Sequence, residues 1–178
     1  MKPAAAVLCV VALIPARAFG QTPSLTEDDV KAAFLYNFAK YVDWPNTAGS
    51  DAFRVCVVAD AGLEKRVDNL VAGETIDGKA VRRETPAPEG ARGCHILFIG
   101  DIESERIDHF IAAVQGAPVL TVGESPDFLN RGGMIAFVHE GDRVRFDINN
   151  AAAQQVGVTV SSRLLRLARR VGVPEGRQ

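Results

Sequence analysis

Three short runs of strand length fix most of what this chain can become: residues 53–59 (Phe-Arg-Val-Cys-Val-Val-Ala), 94–99 and 118–122. The first passes through Asp60-Ala61-Gly62 into a helical spacing of Leu63, Val67, Leu70 and Val71. The second passes through Gly100-Asp101 into Ile107, Phe110, Ile111 and Val114, closed by Gly116, and the third into Ser125-Pro126, an N-cap followed by a first helical position. Apolar strands alternating with helices predict parallel βαβ units and a sheet covered on both faces. Residues 134–138 and 144–148 then flank His139-Glu140-Gly141-Asp142-Arg143, which predicts an antiparallel hairpin. Helices follow from Asn149 and from Ser161 or Ser162, the last carrying Leu164, Leu165, Leu167, Ala168 and Val171. Upstream, Thr26 with Asp29 starts a helix bearing Val30, Phe34, Phe38, Tyr41 and Val42, which Trp44-Pro45 should end. A weak strand at 76–84 and a Pro/Gly loop at 85–93 complete the pattern. The expected fold class is α/β: one domain, a mostly parallel sheet with helices on both faces, and a C-terminal antiparallel hairpin followed by helices.

The N-terminus reads differently. Met1-Lys2, an uncharged apolar run over 4–14 and Pro15-Ala16-Arg17-Ala18 form a secretory signal, cleaved after Ala18 or Gly20. The run falls short of the about 20 residues that a membrane span requires. Residues 1–20 are therefore expected to be a signal peptide and residues 21–178 the working domain, placed in the periplasm of a Gram-negative bacterium. The formal charge of −2 becomes more negative once Lys2 and Arg17 are removed, and a mildly acidic body gives no support to a nucleic-acid partner. With 47% apolar and 24% charged residues the domain has enough core material to fold without a metal.

Chemistry-bearing residues are few. Cys94 and His95 are adjacent on a strand and point to opposite faces, so they cannot act as nucleophile and base. His95, His109 and His139 lack metal-ligand spacing, no Gly-x-Ser-x-Gly elbow is present, and no cofactor fingerprint follows the first strand. Asp60, Asp101 and Glu124 each follow the carboxyl end of a predicted parallel strand, where open α/β sheets form a ligand crevice; the competing reading makes Asp60 and Asp101 helix caps. On the aromatic helix, Phe34, Phe38 and Tyr41 form a core stripe, whereas Tyr36 and Lys40 lie off it and are candidates for a partner contact. Arg163 and Arg166 on the terminal helix are further candidates, Arg169 and Arg170 being explained by the helix macrodipole.

Three stretches together resemble the YfiR family of periplasmic proteins: Lys31-Ala-Ala-Phe-Leu-Tyr-Asn-Phe-Ala-Lys-Tyr-Val-Asp-Trp-Pro45, Phe53-Arg-Val-Cys-Val-Val58, and Val144-Arg-Phe-Asp-Ile-Asn149 through Ser161-Ser-Arg-Leu-Leu165. The resemblance implies an inhibitory periplasmic partner of an inner-membrane diguanylate cyclase, holding down cyclic di-GMP synthesis, with no enzymatic activity of its own. It also places Cys56 and Cys94 where the family has a disulfide, in agreement with the oxidising compartment that an exported chain enters. The alternative is two buried thiols acting as small apolar groups. A second cysteine pair is missing from the C-terminal half, since residues 128–138 contain none. The rival functional class is a solute-binding or sensory module for a histidine kinase or transporter, using the Asp60, Asp101 and Glu124 crevice. Association into a homodimer is left open by the sequence.

Overall fold

The computed structural model describes residues 25–45 and 50–172, so the signal and its cleavage pattern lie outside the described residues. The chain runs α1 (Glu27–Tyr41), β1 (Val42–Asp43), β2 (Phe53–Val58), α2 (Ala61–Val71), β3 (Thr75–Ile76), β4 (Lys79–Glu84), a 3₁₀ turn (Pro88–Gly93), β5 (Ile96–Ile99), α3 (Ser104–Ala113) and β6 (Leu120–Gly123). It continues with β7 (Ile135–Glu140), β8 (Arg143–Ile148), α4 (Asn150–Gln155), β9 (Thr159–Val160), α5 (Ser162–Leu167) and β10 (Arg170–Val171).

The main sheet has eight strands in the order β10-β8-β7-β6-β5-β2-β4-β3. From β4 to β7 the pairings are all parallel, whereas β7–β8 and β3–β4 are antiparallel. The parallel part has doubly wound connectivity, with the chain reversing its direction of travel between β2 and β5. Within it, β2, β5 and β6 are buried on both faces, which is why they read as continuous apolar runs.

Alternation along the strands divides the core in two. Val55, Val57, Ile96, Phe98, Phe137 and Phe146 face a layer made by α1, α2 and α5. Cys56, Val58, Leu97, Ile99 and Ala136 face α3 and the turns after β6. The fold class expected from the sequence is thus the one observed. The start of α1 carries the predicted capping box, Thr26 with Asp29.

The weak strand expected over 76–84 is an antiparallel pair, β3 and β4, the strands expected at 94–99 and 118–122 are β5 and β6 with shifted ends, and three further boundaries differ from expectation. Helix α1 stops at Tyr41, before Trp44-Pro45, because Val42 and Asp43 pair with Val160 and Thr159 of β9. After Ser125-Pro126 no helix forms; residues 126–132 are successive turns around Phe128, which is fully buried between Gly123 and Gly133, and a Cβ on either glycine would overlap its ring. The terminal helix ends at Leu167, and Arg169 leads into a short strand that begins at Arg170 instead of completing a helix. The macrodipole therefore does not account for Arg169: its guanidinium is bidentate on Asp147, at 2.9 Å and 2.6 Å.

Candidate functional site

The reversal between β2 and β5 is the point at which doubly wound sheets form a crevice. Here the backbones approach closely, Gly100 N donating to Val58 O at 2.9 Å. Asp60 is exposed and caps α2, its carboxylate accepting from the backbone N–H of Gly62 at 2.7 Å and of Leu63 at 3.2 Å. Asp101 is exposed at the end of β5. Glu124, after β6, accepts a 2.7 Å hydrogen bond from Lys31 Nζ, which also lies 2.6 Å from Glu27. Lys31 is only 6% exposed, so α1 sets a buried ammonium against the strand ends. Burial opposes its charge, yet the hydrogen bonds it donates to Glu124 and Glu27 outweigh that cost and raise its pKa above the usual lysine value. Of the predicted acids, then, Asp60 is engaged by backbone amides and Glu124 by an ammonium.

The partner-contact candidates occupy two places. Tyr36 and Lys40 lie one turn apart on α1, with the ammonium 4.0 Å from the ring centroid and the Tyr36 hydroxyl donating to the Glu74 carboxylate. Lys40 is exposed and Tyr36 half-buried. Arg163 stacks over Tyr41 at 5.1 Å, and Arg166 is exposed on the same helix, α5.

Cys56 and Cys94 are joined in a disulfide, Cα to Cα 5.9 Å, on the α3 side of the sheet, linking β2 to the residue two positions ahead of β5. His95 points to the opposite side, stacked on Phe53 with ring centroids 4.5 Å apart, and its Nδ1 accepts the Arg54 N–H at 3.1 Å. Burial, then the charges of Lys79 and Arg54, hold its pKa below the ordinary histidine value. His139 is exposed and 3.0 Å from Glu27. Among the described residues, no three His, Cys, Asp or Glu side chains converge as a metal-ligand set, and no helix is long and apolar enough to cross a membrane.

Sequence reasoning missed two features. One is the Lys31 ammonium, whose partner is 93 positions away and gives no local signal. The other is a groove of about 660 Å³ between the start of α1 and the β7–β8 hairpin, with Val30, Phe34, Val144, Phe146 and Leu167 among its walls.

The fold is similar to that of a conserved domain protein from Vibrio cholerae O1 biovar eltor str. N16961, with 13% identity and a TM-score of 0.58 over 82% of this chain. This chain spans 60% of the length of that structure. The ABC domain in complex with L-Trp from Streptococcus pneumonia superposes more loosely, at 12% identity and a TM-score of 0.47, covering 67% of this chain and 55% of that one. A family model described as YfiR/HmsC-like matches residues 28–169, from the first turn of α1 to the residue before β10, and the chain belongs to the YfiR/HmsC-like family.

Proposed function

We propose that this protein is a periplasmic regulatory binding protein that represses an inner-membrane signalling protein, a diguanylate cyclase, and so restrains cyclic di-GMP. The observation that carries this reading is the family match over almost the whole described domain. Residues 1–20 act as a cleaved leader and residues 21–178 as the mature domain. Repression works by occupancy: the folded domain binds and stabilises the inactive state of its partner, so the loss of the domain raises output. No chemical step is required of the protein, and the contact is assigned to the exposed Lys40, Arg163 and Arg166 with the half-buried Tyr36.

The solute-binding alternative rests on Asp60, Asp101 and Glu124, and two of these already have partners within the fold. Deleting the gene while leaving every native cyclase in place should raise cyclic di-GMP, measured by mass spectrometry of nucleotide extracts, and increase surface attachment. Unchanged nucleotide in that strain would overturn the repressor reading and transfer the weight to the solute-binding module.

A further inference from the structure

The outer edge of β8 is half covered. Asn149 N donates to Met134 O at 2.7 Å, so the odd-numbered residues of β8 direct their backbone groups to β7. The even-numbered ones face away from β7. Phe146 O and Ile148 O accept from Arg169 N and Gly172 N at 2.8 Å and 2.7 Å, and β10 begins only opposite Asp147. Val144 belongs to the same outward-facing series. Among the described residues no strand lies beside it on that edge.

The side chains next to this edge are not those of a guarded one. Val144 and Phe146 turn toward α1, where Phe146 packs 5.2 Å from the rings of both Phe34 and Phe38, and they form the floor of the groove described above. Its rim carries Leu25 and Leu167, which are 80% and 55% exposed. On the opposite face of the strand stand Arg143, exposed, and Arg145, whose guanidinium is 3.9 Å from Glu140 on β7. Arg143 and Arg145 also line this groove, as do Glu27, His139 and Asp142, so the sheet edge offers an added strand an apolar floor flanked by cations.

We propose that β8 binds an extended segment of the partner by strand addition beside Val144, continuing the line that β10 begins. The incoming strand places an apolar side chain in the groove and acidic side chains beside Arg143 and Arg145. A second copy of this chain fits poorly: pairing β8 with itself about Val144 sets Arg143 directly across from Arg145, and like charges in that position are destabilising. This inference deepens the repressor reading by giving the partner's chemistry, and its cellular test rests on that reading.

The test uses the mature, oxidised protein and two synthetic peptides, acetyl-Thr-Val-Asp-Val-Asp-Val-Thr-amide and its counterpart with Lys in place of Asp. The Asp peptide should bind and slow hydrogen exchange of the Val144 amide, and the Lys peptide should bind more weakly. Val144→Pro removes an outward N–H without touching the β7 ladder, so circular dichroism should be native while Asp-peptide affinity falls about tenfold, as expected for lost strand hydrogen bonds. Arg143→Glu combined with Arg145→Glu should reverse the preference between the peptides. Equal binding of both peptides, or binding without protection at Val144, overturns the proposal, as does a concentration-dependent dimer protected at Val144 without peptide. In cells, V144P at normal abundance should raise cyclic di-GMP as the deletion does. If the deletion itself changes nothing, the repressor reading fails while the peptide measurements still decide the edge.

Discussion

His95 illustrates how a single buried ring couples the fold to pH. Its Nδ1 is occupied as an acceptor and the ring is 8% exposed, so the folded protein holds it neutral, with a pKa pushed below 6.5 chiefly by burial. An unfolded chain takes up a proton near 6.5 that the folded one refuses. Stability is therefore complete above that value and is lost as pH falls from it through the lower folded pKa. His95→Asn keeps an acceptor near the Nδ1 position and cannot titrate. Its melting temperature should change less between pH 7.5 and 5.5 than that of the parent, whatever its absolute stability; parallel losses would assign the effect to another group. The placement of His95 away from Cys94 follows from the extended backbone there, which the sequence made legible although the strand itself begins only at Ile96. Burial of Lys31 was not, because a lysine among Ala and Phe on a helix looks the same whether it meets water or Glu124.

Among the elements, β10 shows what a two-residue strand depends on. Its backbone bonds to β8 are few, and the side chain that holds its start in place is Arg169 on Asp147, an acid 2% exposed. Arg169→Ala would leave that carboxylate buried and unpaired, at a cost of about 3 kcal/mol in urea denaturation, the usual scale for breaking such a pair from one side. Hydrogen exchange at the amides around Ile148 should speed up in the same variant; unaltered exchange would show that β10 stays docked without the ion pair. Strands β2, β5 and β6 were readable in the sequence because burial on both faces gives unbroken apolar runs. Strands β1, β9 and β10 were not, since two-residue strands exist only where a distant segment presents a matching edge. The turns around Phe128 defeated a sound N-cap reading of Ser125-Pro126 for a related reason, the tertiary fit of one ring between two glycines.

For the molecule as a whole, the Cys56–Cys94 bridge pins the two strands at the centre of the sheet and closes a loop with a sequence separation of 38. Replacing both cysteines with Ser should lower stability by about 2–5 kcal/mol, a large share of what a domain of this kind has in total. The urea midpoint should fall accordingly, and thiol labelling of the untreated, denatured parent protein should find Cys56 and Cys94 blocked; two reactive thiols there would remove this account of its stability. The architecture was legible from element order, whereas the sites depended on contacts across the sequence that periodicity does not carry. One such contact has a bearing on the order of assembly. Leu35, Phe38 and Ala39 of α1 are buried in a cluster shared with Phe146, Val160 and Leu164. Because a chain is made from its N-terminus onward, α1 is made well before β8, β9 and α5, so the part of its apolar face that they cover stays open until nearly the whole domain has followed. In that interval it is a natural hold for a chaperone and the place where misassembly between chains would begin.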